Sequence, residues 1–174
     1  MITIYQPVRG MKMLKFEDIR NKYVEVVRLQ REERECLQLL VKSVIDHFEE
    51  SLELEQKSWT IAGERDSQNY VFIAVQRDGG EARVDLHELV PDSTGTLSFY
   101  VGITVDKSPI AFPKINILVP LSLRRENGAF SLVVGKDKFE TMLSEKPIKA
   151  ELESVSEAIS NAAMLDLDCY VPVR

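Results

Sequence analysis

Two side chains two residues apart, Asp85 and His87 in Asp85-Leu86-His87, carry the most direct chemical suggestion in this chain. On a β-strand residues i and i+2 share a face, so a carboxylate could orient the imidazole and raise its basicity, as general-base chemistry requires. Glu81 and Arg83 fall on the same alternation, and Arg83 could take an anionic group. The opposing reading is that charged residues alternating along a strand mark its solvent face. A second histidine, His47 in Asp46-His47-Phe48-Glu49-Glu50, has Glu50 one helical turn near it. One His and one Glu make only half a metal site, so no metal centre is expected. Asp166 and Asp168 could present two carboxylates to a hard cation if their segment is extended. Arg124 and Arg125, beside an Asn127-Gly128 turn, could meet a phosphate or carboxylate. The chain carries no P-loop, dinucleotide-binding, nucleophile-elbow or HExxH pattern. Cys36, between Glu35 and Leu37, is a poor nucleophile because neighbouring acids disfavour its thiolate. No cofactor is expected.

The elements that must position these groups follow from periodicity. Lys12–Ala62 contains neither glycine nor proline, which predicts a long helix. Phe16, Ile19, Tyr23, Val26 and Val27, then Leu37, Leu40, Val41, Val44, Ile45, Phe48 and Leu52, recur at helical spacing. A helix of about 40 residues would run about 60 Å, against about 30–35 Å expected across a fold of this size. The helix, from about 15 to 56, therefore either breaks near 28–36 or outruns its domain. Tyr23, Val27, Leu37 and Leu40 are the expected interface with a second copy or another protein.

From Trp59 to Val134 the period becomes two. Strands are expected at Trp59–Ile61, Tyr70–Arg77, Glu81–Leu89, Thr96–Asp106, Ile115–Arg125 and Ala129–Val134. Tyr70–Arg77 is apolar on both faces and so central. Pro120 implies a bulge or an edge in its strand, and Asn127-Gly128 implies a tight hairpin. Two C-terminal helices are expected, Asp137–Leu143 and Pro147–Met164, followed by a possible edge strand in Leu165–Val173. The opening ten residues read as an extended or disordered lead, with Met1, Met11 and Met13 all usable starts.

The whole is an α+β chain read as a single domain, 1–174: a long N-terminal helix, straight or bent, on a curved antiparallel sheet of five to six strands, then two helices. Its element order is similar to that of the cone-like cystatin and nuclear-transport-factor folds. If the sheet forms a cup against the helix, Tyr70, Phe72, Tyr100, Thr104, Asn116, Arg124 and Phe130 are its expected ligand-binding residues.

Composition narrows the function class. A net charge of −6 argues against nucleic acid as partner. Two cysteines make no disulfide framework, so a reducing, cytoplasmic setting is expected. No signal peptide or membrane span is expected. The primary expectation is a non-enzymatic interaction protein of inhibitor, immunity, chaperone or adaptor type, homodimeric because its overlong helix needs a cover. The alternatives are a small-molecule binder, with its pocket between sheet and helix, and an enzyme using Asp85 and His87.

Overall fold

The computed structural model describes residues 14–60, 66–108 and 110–169. The N-terminal lead with its alternative starts, residue 61 of the first expected strand and the tail beyond residue 169 lie outside the described residues. The chain divides into two compact units, one ending at Glu33 and one beginning at Arg34.

Helix α1 runs Phe16–Ser51 as one α-helix, so of the two alternatives the break near 28–36 does not occur. The polar stretch Gln30–Glu35 holds it because Glu, Arg and Gln are strong helix formers and Arg28 pairs with Glu32 one turn on, at 2.7 Å. Within the first unit, Phe16, Ile19, Tyr23, Val26 and Val27 are all exposed. Within the second, Leu37, Leu40, Val41, Val44 and Phe48 of the same helix are buried.

Strands β1 (Ser58–Thr60) and β2 (Ser67–Asn69) form a two-stranded antiparallel sheet. The main sheet has six strands, β3 (Val71–Arg77), β4 (Gly80–Val84), β5 (Thr96–Val105), β6 (Ile115–Glu126), β7 (Ala129–Val134) and β8 (Phe139–Leu143), antiparallel in the order β4-β3-β5-β6-β7-β8. As its two apolar faces imply, β3 is internal. The sheet does not curl into the expected cup; the β5–β6 ladder runs ten rungs from Thr96↔Arg124 to Val105↔Ile115 with no extra residue to bend it. Pro120 sits where the β7 ladder stops: the last β6–β7 rung is Leu121↔Val134, and Gly135 N–H donates to the Pro120 carbonyl at 2.8 Å. The ladder hydrogen bond that proline cannot donate is therefore not called for. Asn127 and Gly128, at φ of 50° and 85°, turn β6 into β7, the both-positive geometry that a two-residue hairpin needs.

One C-terminal helix is present rather than two. The segment expected as a helix from Asp137 turns instead, with Lys138 at φ 55°, and continues as β8 on β7. Phe139, Thr141 and Leu143 alternate in phase, and pairing with β7 overrides the weak local helix signal. The remaining helix, α2 (Lys149–Asp168), extends through Leu165–Asp168, so this part of the expected tail strand is helical. Glu151 begins it by accepting from Ile148 N–H and Ser144 Oγ, both at 2.8 Å; those donors hold its carboxyl below the ordinary range, the Ile148 N–H most of all.

One sheet face carries Leu97, Phe99, Val101, Ile117, Val119, Leu121, Leu123, Phe130, Leu132 and Val134. They form a single core with Leu37–Phe48 of α1 and Val155, Ile159 and Ala163 of α2. The helices are tied at a polar point as well, His47 Nδ1 to Ser156 Oγ at 2.9 Å.

Candidate functional site

The expected pairing of Asp85 with His87 on a strand face is not what forms. Strand β4 ends at Val84, and Leu86–Glu88 closes into a single 3-10 turn that Asp85 begins. The turn is stabilised by Glu88, whose carboxylate accepts from Asp85 N–H at 3.0 Å and pairs with Arg77 at 2.9 Å. These two contacts, the Asp85 N–H first, hold the Glu88 carboxyl below its usual value. The main-chain carbonyls at the end of the turn are claimed by α1. Arg34 donates through Nη2 to the His87 carbonyl and through Nε to the Leu89 carbonyl at 3.1 Å, and Gln38 donates to the same two oxygens at 3.3 and 2.8 Å. Arg34 and Gln38 lie one turn apart on the helix, which is the only signal in the sequence for this clamp.

Where β4 leaves the sheet, the Val71 and Phe72 rungs of β3 have no β4 partner, since the ladder starts at Ile73↔Val84. A cleft of about 570 Å³ opens there. Its walls come from β2, β3, β4, the 3-10 turn and Ile45 of α1. Ser67, Gln68 and Asn69 give it neutral polar groups, and Arg83 and Asp85 line it, whereas His87 does not.

The Arg83 guanidinium is stacked on Phe72, 3.5 Å from ring centroid to Cζ. Phe72 in turn lies flat against Gly102, its partner in the β3–β5 ladder: a Cβ on Gly102 would fall 2.2 Å from the ring. From the far side, Arg83 Nη2 donates to Thr104 Oγ1 at 3.3 Å and Asn116 Oδ1 at 3.4 Å, and Thr104 Oγ1 donates to Asn116 Oδ1 at 3.0 Å. Register explains the meeting: Thr104 and Asn116 face each other across β5–β6, and Arg83 reaches over β3 to them. No carboxylate among the described residues pairs with Arg83. Arg83 stays exposed on one side, and partial desolvation against the ring and neutral acceptors lowers its pKa.

Of the seven expected ligand-binding residues, Phe72, Thr104 and Asn116 thus meet around Arg83. Tyr100 is on the same face, opposite Pro120, and lines a neighbouring hollow with Glu81 and Asn116. Arg124 lies at the other end of the face, paired with Glu126 at 3.0 Å. Tyr70 is directed elsewhere, its hydroxyl donating to Asp106 at 2.8 Å. Phe130 is fully buried on the core face and cannot touch a ligand there. Leu37 and Leu40 are likewise consumed by the core, so of the four expected interface residues only Tyr23 and Val27 remain exposed. Arg125 pairs with Glu145 at 3.4 Å. Asp166 and Asp168 sit on a helix, two residues apart and on different faces, with Asp166 bound to Lys136 at 2.8 Å.

A second polar cluster was not anticipated. Lys114 is nearly enclosed and pairs with Asp106, which also accepts from Tyr70. The rings of Trp59, Phe112 and Tyr70 surround its ammonium at 4.8, 5.5 and 5.6 Å from their centroids. Among the described residues no group of three His, Cys, Asp or Glu side chains could hold a metal ion, and no helix is long and apolar enough to cross a membrane.

Compared with known proteins, the chain matches no family model, no curated protein and no solved structure.

Proposed function

We propose that this protein is a non-enzymatic interaction module that associates through the first half of α1, with a second copy of itself as the first partner. The observation that carries the reading is the exposure of that half. Phe16 is 70% exposed and Tyr23 68%, with Ile19, Val26 and Val27 open beside them. Spacings of three and four align the five in one stripe, and water-exposed apolar stripes of this kind mark contact surfaces. Most helical stability in proteins comes from packing an apolar face rather than from propensity, so a cover for the stripe stabilises it. Two-fold pairing is the commonest way for one patch to meet its own copy.

The test is light scattering on the purified chain beside the double variant Tyr23→Asp, Val27→Asp. A wild type at twice the chain mass and a monomeric variant with an unchanged melting temperature are expected. A monomeric wild type at about 100 μM, well above the micromolar constants of modest interfaces, removes self-association.

A further inference from the structure

The cleft at the end of β4 has a charge arrangement that the interaction reading does not use. Arg83 is stacked on Phe72 and braced by Thr104 and Asn116, and among the described residues no carboxylate neutralises it. Among the described residues its acceptors, Thr104 and Asn116, are both taken through Nη2. Glu88, on the same cleft, is already satisfied by Arg77 and the Asp85 N–H. Asp85 likewise has no ion pair among the described residues, so among these the cleft presents one cation and one anion without a salt-bridge partner. The rest of the cleft's lining includes the apolar side chains of Ile45, Val71, Ile73, Val84 and Leu86. The volume, about 570 Å³, falls within the range of small-molecule sites.

We infer that this cleft binds a small zwitterion with an apolar body, an amino acid or dipeptide, holding its carboxylate on Arg83 and its ammonium toward Asp85. A planar guanidinium held by a ring on one side and two neutral acceptors on another keeps its position, and its Nε–H or Nη1–H can donate a charge-assisted hydrogen bond to a carboxylate oxygen. Because Gly102 lets the Phe72 ring lie flat, the platform is built by the sheet rather than by a loop. A dianion such as phosphate is disfavoured by Asp85 and Glu88 on the same wall. The site lies wholly in the unit from Arg34 onward and does not depend on how the first half of α1 is covered.

The experiment is a backbone amide NMR titration of the full chain with L-leucine, L-phenylalanine and glycyl-L-leucine. Acetate, methylammonium and inorganic phosphate serve as controls. At least one of the three zwitterions is expected to give saturable shifts confined to residues 67–73 and 83–86, with a Kd of about 1 mM or tighter, and acetate and methylammonium to bind at least tenfold more weakly. Arg83→Lys, which keeps the charge and loses the planar stack on Phe72, is expected to weaken the zwitterion at least tenfold. Asp85→Asn should weaken it similarly while leaving acetate unchanged. Because Asp85 is exposed, that variant keeps the test decisive even if Arg83→Lys unfolds. Absence of saturable shifts with all three zwitterions, tighter binding of phosphate, or zwitterion affinity indifferent to Asp85→Asn overturns the inference.

Discussion

Gly102 is held by a neighbour and not by its backbone, since its φ lies outside the left-handed region. Any side chain there meets Phe72, so Gly102→Ala must push the ring, and with it the Arg83 guanidinium, off the sheet. Overpacking of this kind costs about 1–3 kcal/mol. Thermal unfolding is expected to show that loss, and the variant is expected to lose the Arg83-dependent shifts of the cleft. The Asp106–Lys114 pair supplies the pH dependence. Lys114, then Tyr70, holds the Asp106 carboxyl below its ordinary 3.8. A depressed folded value means a contribution present above about pH 4 and lost as pH falls through the folded value. Tyr70 is shifted the opposite way, upward, mainly by burial, so its contribution holds up to about pH 10 and is lost above it. Asp106→Asn removes the carboxylate that Lys114 and Tyr70 share, and is expected to lower stability. Denaturant unfolding between pH 3 and 7 is expected to show that loss at neutral pH and a flatter acid limb than wild type.

At the scale of elements, α1 is one helix with two environments. Its second half contributes Leu37, Leu40, Val41, Val44 and Phe48 to the core, while none of residues 16–32 is buried. Local opening free energy follows buried apolar contact. Hydrogen exchange is therefore expected to find amides of 37–48 protected to the level of global unfolding. Those of 17–30 are expected to exchange at least a hundredfold faster in the monomeric variant Tyr23→Asp, Val27→Asp. Equal protection of the two halves in that variant contradicts this division. The same element shows how far sequence reasoning reaches. The absence of Gly and Pro and the period of 3.6 were sufficient for the helix itself, two apolar faces for β3, alternation for β5 and β6, and the Asn127-Gly128 turn for β7. The 3-10 turn at Leu86–Glu88 and strand β8 were not legible. In both, a few residues of ambiguous local preference follow what they pack against: Arg34 and Gln38 draw in the His87 and Leu89 carbonyls, and β7 offers β8 a free edge.

For the molecule as a whole, composition and patterning determined an acidic α+β chain with a long helix, an antiparallel sheet and a polar-aromatic sheet face. Those properties are sums over many residues, and each residue's contribution depends on near neighbours in sequence. Which side chains meet depends on register and on where strands stop, and these are set by pairing across the sheet. The sequence offered Asp85 and His87 as neighbours, yet β4 ends before them. It offered Phe72, Thr104 and Asn116 only as members of a face, and the β3–β5–β6 register brought them to Arg83. It could not separate Leu37 and Leu40 from Tyr23 and Val27, because all four share a helical period. Only the tertiary structure decided which half of that stripe the sheet and α2 bury, since burial is a property of the opposing surface and not of the helix that carries the residues.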